Sequence, residues 1–192
     1  MTTLSFYASG YSRNYRSDIQ EIQAIEYKRR HITFNPTNSQ QNWWPTSIDF
    51  QAAAEKSIEG GECFPVASAS QLVRKIQRSK KLSSVKVFTH GSSSEIHFGR
   101  RGKITLDNIV QLPDLSTKFT ANGKIIFYAC NSARIRFNED FFQKIANQIK
   151  VKTCGFTKGI KYKVHYNIDN RITKRGLDPS FNPNSYKCWS PQ

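Results

Sequence analysis

The chain has no run of 18 apolar residues, which excludes an ordinary transmembrane helix. It has no C-x-x-C pair. Its four cysteines, Cys63, Cys130, Cys154 and Cys188, are widely spaced, which excludes a standard structural zinc site and a dense disulfide framework. Its opening, MTTLSFYASGYSR, lacks a charged leader followed by an apolar stretch, so no cleaved secretory signal is visible. Two disulfides stay open on number alone. Without an export signal, free thiols in a reducing compartment are the expectation, and one thiol can then serve chemistry. Acid is scarce: 14 Asp and Glu stand against 29 Lys and Arg, a net charge of +15. A basic surface attracts nucleic acid, anionic membrane or an acidic protein, or simply keeps the chain in solution. No zinc-finger spacing, phosphate loop or RNA-recognition signature accompanies the charge, and no carboxylate cluster suits a metal-dependent nuclease. No metal or cofactor is expected, and there is no internal repeat.

What is present suits one globular domain: 192 residues, 38% hydrophobic and 12% aromatic. The first sixty residues carry weak signals. SDIQEIQAIEYKRR reads as a short amphipathic helix with Ser17 as N-cap and Ile19, Ile22 and Ile25 on one side. HITFNP reads as a strand stopped by Pro36, and Trp43 and Trp44 anchor a polar loop. From residue 66 the pattern sharpens. SASQLVRKIQRSKKL predicts a helix with Leu72, Val73 and Ile76 inward, SVKVFTHG a strand, and EIHFGRRGKITL a hairpin. LDNIVQLPDLSTKF carries Leu106, Ile109, Val110 and Leu112 at helical spacing up to Pro113. KIIFYAC is a nearly continuous apolar run, as expected of a parallel strand covered on both faces. NEDFFQKIANQI predicts a helix capped by Asn138 with acids in its first turn, and KVKTCGF the next strand. The tail, rich in Pro, Asn and Ser, is expected to wrap the surface. Alternating helices and strands indicate an α/β layer with a mostly parallel sheet.

Two strand ends carry chemistry: one finishes in His90-Gly91, the other in Ala129-Cys130. In a parallel sheet both emerge at the carboxyl edge, where open α/β sheets hold their ligands. Neighbouring strands lie about 4.8 Å apart, so an imidazole and a thiol there can share a cleft. Gly91 permits a sharp turn and the approach of an N–H to a carbonyl, and the Cys130 N–H is a second oxyanion donor. Ala129 leaves room beside the thiol. His90 would serve as acid and base and Cys130 as nucleophile. The plainer readings are that Cys130 is a small buried hydrophobe, that His97 is a surface or packing residue in its hairpin, and that Cys154 belongs to the core. Ser92, Ser93 and Ser94 either line a cleft or shape the loop. His31 and His165 have no partner pattern, and His90, His97, Cys130 and Cys154 match no zinc spacing.

The ordered segments FTHGSSSEIHFG, ITLDNI, IIFYACNSA and FFQKIANQIKVKTCGFTKG resemble the caspase-like cysteine peptidases of clan CD. The likeness is to bacterial branches, the CHAT domains and a related caspase-like domain of large bacterial surface proteins, and spans roughly residues 66 to 159. It implies a three-layer α/β sandwich, a Cys130/His90 dyad, an oxyanion hole from Gly91 and Cys130, and a substrate cleft that includes Ser92, Tyr128 and Ser132. Residues 1–60 would be an N-terminal extension packed on the core, and residues 61–192 the peptidase domain with its tail. Tyr128 stands where many relatives carry an acid or a glutamine for the P1 pocket, so P1 preference is left open.

The implied activity is cysteine endopeptidase on a protein or peptide substrate. A bacterial effector or toxin held by an acidic inhibitor or immunity protein fits the charge, either cytoplasmic or delivered into a target cell without a cleaved signal. The alternatives are an inactive caspase-like binding module, and a basic nucleic-acid-binding protein or nuclease toxin. Nucleic acid is the less favoured partner.

Overall fold

The computed structural model describes residues 2–9, 47–57, 62–99, 102–134, 140–166 and 172–192. In chain order the elements begin with β1 (Thr2–Ala8), α1 (Ser47–Lys56), β2 (Glu62–Val66), α2 (Ala69–Gln77) and β3 (Leu82–Phe88). The middle third holds β4 (His90–Ser92), β5 (Glu95–His97), β6 (Lys103–Thr105) and β7 (Phe119–Tyr128). Then come α3 (Phe141–Ile149), β8 (Lys152–Phe156), β9 (Lys161–Tyr166), β10 (Ile172–Ser180) and β11 (Tyr186–Trp189).

The main sheet has the order β11-β8-β7-β3-β1-β2. Its first five strands in chain order pair in parallel, and β11 closes one edge antiparallel to β8. The α/β expectation is met at this level. Because side chains alternate along a strand, β7 feeds both faces. Ile125 and Phe127 join Leu72 and Ile76 of α2 and Phe141, Phe142, Ile145 and Ile149 of α3 in one core. Ile126 joins Phe50, Ala53 and Ala54 of α1, with Phe88 and Phe156, in the other. Double coverage explains the apolar run, since Ile125, Ile126 and Phe127 are buried although they alternate between the two faces. Each large side chain fully buried in this way contributes about 1.5–3 kcal/mol.

Local signals set the helix starts. Ser68 caps α2, its Oγ accepting from Gln71 N at 3.3 Å, while the Gln71 amide oxygen accepts from Ala67 N at 2.7 Å. Asp140 caps α3, accepting from Gln143 N at 3.0 Å, and its other oxygen takes the Trp189 indole N–H. The cap is therefore Asp140, not Asn138, which lies outside the described residues, and no acid stands in the first turn of α3.

Four further expectations are corrected. The segment after Leu106 forms two separate 3-10 turns, Ile109–Gln111 and Ser116–Lys118, rather than a helix, and Val110 is 73% exposed. Asn108 accounts for this: its side chain accepts from Thr105 N and donates to Lys103 O, a local turn that competes with helix. The tail does more than wrap the surface, because it supplies β11 to the main sheet. Cys154 and Cys188 face each other in the β8–β11 register and form a disulfide, leaving Cys63 and Cys130 as the free thiols. The chain start is also more than an extension packed on the core, since β1 lies inside the sheet between β3 and β2. The helix at Ser17, the strand before Pro36 and the tryptophan loop lie outside the described residues.

Candidate active site

The site begins with register. In the β3–β7 pair, Phe88 stands opposite Tyr128, and the two rings stack at 4.4 Å between centroids, 6° from parallel. One residue on, Thr89 N donates to Tyr128 O at 3.3 Å, so the chains remain in step as they leave the sheet. The next positions on each chain bring His90 and Cys130 to the same carboxyl rim.

Alternation also selects the face. Lys86, Phe88 and His90 form one row, and Ile126, Tyr128 and Cys130 the neighbouring row. Lys86 Nζ donates to Ser57 O at the end of α1, and the His90 ring meets Phe50 of α1 edge-on at 4.9 Å. Tyr128 and Cys130 pack against the α1 cluster. Imidazole and thiol thus share both a rim and a face of the sheet.

The opposite face shows why Gly91 and Ala129 are small. A Cβ on Gly91 would stand 2.8 Å from the Ala129 Cβ and 3.2 Å from Glu95 O. Any larger pair would push the two strand ends apart.

The thiol sits among backbone groups. Ile160 N donates to Cys130 Sγ at 3.2 Å, and Sγ lies 3.5 Å from Ile160 O. Burial pushes the thiol above its ordinary pKa, and the Ile160 N–H pulls it part of the way back. Beyond Cys130 the chain makes a turn rather than starting a helix. Asn131 takes a left-handed φ of 53°, its N–H donates to Lys158 O at 3.1 Å, and Ala133 N donates to Phe156 O at 3.1 Å. The stretch after β8 is therefore stitched to the turn that carries Cys130.

The other expected cleft residues divide. Ser92 is half-buried on β4, with Oγ 3.5 Å from Ser94 N, which makes the serine run partly a loop-shaping device. Tyr128 is half-buried, stacked on Phe88 and within 6.4 Å of Phe181; burial and Tyr186 raise its phenol pKa. Ser132 does not line an open cleft. It is fully buried, its hydroxyl donates to Ala129 O at 2.9 Å, and a Cβ on Gly155 would meet the Ser132 Oγ at 2.9 Å. Its hydroxyl fastens the turn from inside.

His97, by its sequence a plain hairpin residue, stands opposite His90 in the β4–β5 register. Its Nε2 pairs with Glu95 at 2.8 Å, and Glu95 also holds Lys103 at 3.2 Å. Burial lowers the His97 pKa, with Glu95 opposing. The only sequence signal for this placement is alternation within the hairpin. Among the described residues, no group of three or more His, Cys, Asp or Glu is arranged to hold a metal ion. No helix among them is long and apolar enough to cross a membrane.

Residues 66–156 match a family model described as a domain of unknown function, DUF4347, a span that runs from the end of β2 to the end of β8 and includes His90 and Cys130. No curated protein and no solved structure matches the chain.

Proposed function

We propose that this chain is a caspase-like cysteine endopeptidase in which Cys130 is the nucleophile and His90 the acid and base. The observation that carries the reading is the shared register and shared face of the two strand ends, fixed by the Phe88–Tyr128 pair and the Gly91–Ala129 approach. Helices on both faces of a mostly parallel sheet support the finer reading as a three-layer caspase-like sandwich.

In this mechanism His90 accepts the Cys130 Sγ proton as sulfur attacks the scissile carbonyl. The oxyanion is held by the N–H groups of Gly91 and Cys130, and His90 then gives its proton to the departing amine. Water, deprotonated by His90, attacks the thioester; the acid product leaves and the thiol is restored. A thiol raised by burial is mostly protonated at neutral pH, so the imidazole has to take the proton during attack. The expected substrate is a protein or peptide.

The disulfide favours an oxidising compartment over the reducing cytoplasm. With the charge of +15, a bacterial effector or toxin that meets an acidic inhibitor protein is the biological setting we favour.

A second reading has its own support. The Cys130 sulfur is engaged by Ile160 and largely covered, as expected of a caspase-like module that binds peptides without cleaving them. Incubation with a diverse peptide library separates the two readings. Cleavage by the wild type and none by Cys130→Ala supports the peptidase; binding by both forms with no cleavage by either supports the module.

A further inference from the structure

We propose that the amino edge of the main sheet, opposite the rim of Cys130, is a binding site for a soluble compound carrying two or more phosphate groups. A groove of about 720 Å³ opens there, lined among others by Lys124, Lys150 and Lys152 and by the hydroxyl residues Ser116, Thr120 and Ser190. Among the described residues, no Asp or Glu lines it.

The lysines are placed at a cost. Lys124 and Lys152 stand directly opposite each other on the adjacent parallel strands β7 and β8, with the same side of the sheet available to both. Strand neighbours are about 4.8 Å apart, and like charges so placed repel. Lys150 caps α3 in a left-handed conformation, φ 57° and ψ 32°, where glycine is the usual residue. The carboxyl end of α3 accounts for one cation through its partial negative charge, but not for three. None of the three forms an ion pair within 4 Å among the described residues. Asp114, whose Oδ1 accepts from Ser116 N at 2.8 Å, offsets part of the Lys150 charge but touches neither Lys124 nor Lys152 in any ion pair within 4 Å among the described residues. Lys124 and Lys152, with no carboxylate in contact among the described residues, stand with Lys150 beside hydroxyl donors, a set that matches phosphate oxygens.

The site is separate from the peptidase reading and does not rest on it. Six residues of extended strand part Lys124 from Cys130, about 20 Å. The chemistry also differs from the basic face of α2, where Arg74, Lys75 and Arg78 line an open hollow beside β2 and Lys75 is spent over the Phe64 ring at 4.1 Å.

The test is calorimetric titration of the full chain with inorganic tripolyphosphate and with monophosphate at fixed ionic strength. We expect saturable 1:1 binding of tripolyphosphate, weakened about tenfold or more by Lys124→Gln/Lys152→Gln, retained by Arg74→Gln/Arg78→Gln, and much weaker for monophosphate. Lysine acetylation footprinting of the wild type gives a readout independent of any variant: tripolyphosphate should shield Lys124 and Lys152 but not the exposed Lys158 at the other rim. The free Lys152→Gln protein should melt about 1–2 °C higher, because a repulsion is gone. Equal weakening by both double variants, or uniform shielding of all lysines, would mean attraction to overall charge and would overturn the proposal. Absence of binding would overturn it too.

Discussion

Phe88 and Tyr128 face each other at the ends of β3 and β7 and stack 4.4 Å apart, almost parallel. The two strands stay in step up to the rim, and two positions later His90 and Cys130 both meet the cluster around α1. A slip of one residue would send one of the two side chains to the other face.

The closeness of the strand ends depends on two missing side-chain volumes. Gly91→Ala is expected to lower stability by about 1–3 kcal/mol through overpacking against the Ala129 Cβ. Ala129→Gly in the same chain should recover part of that loss, so the double-mutant cycle in urea should show coupling between the sites. Additive effects would mean that the strand ends do not touch.

Much of this is legible in the residue pattern, for identifiable reasons. β3 and β7 are covered on both faces, and such strands advertise themselves as apolar runs ending where the chain turns. The α2 helix is equally plain from the inward spacing of Leu72, Val73 and Ile76, although Val73 is only partly buried. β1 escapes a sequence reading because TTLSFYA is short and alternates too weakly to distinguish a central strand from an outer one. The disulfide escapes it because the opposition of Cys188 to Cys154 depends on the register of β11, which long-range packing sets. Ser132 looks like a cleft residue because it lies close to the thiol in sequence; only the turn geometry sends its hydroxyl inward.

Removal of that disulfide by Cys154→Ala/Cys188→Ala should lower the unfolding free energy by roughly 2–4 kcal/mol, as for a cross-link between positions 34 residues apart. Chemical denaturation with and without a phosphine reductant is the check. Thiol counting on the unreduced, denatured protein should find two free cysteines, Cys63 and Cys130.

A pH effect arises from Cys63. Burial, aided by Glu55, pushes its pKa from 9.0 up to about 11. The folded chain holds this thiol's proton more tightly than the unfolded chain does, so the contribution to stability is complete below pH 9 and fades as pH rises toward 11. The urea midpoint should fall over that window, and Cys63→Ala should flatten the fall. Tyr7, Tyr128 and Tyr186, also raised by burial, leave a residual slope in the variant.

Glu95 offers a test of the hairpin behind His90. It holds both His97 and Lys103, and Glu95→Gln should let the His97 pKa fall further, since burial would act with less opposition. Imidazole proton shifts followed by NMR across the histidine titration would register the change, and an unchanged His97 titration would count against the contact.

The most direct measurement is covalent labelling by a peptidyl acyloxymethyl ketone, followed by mass spectrometry of the modified peptide. A working dyad should give a single adduct on Cys130, absent in Cys130→Ala and slowed about 100-fold or more in His90→Ala, as expected for loss of an acid–base partner. Labelling of Cys63 instead, or equal labelling of Cys130 with and without His90, would contradict a working dyad.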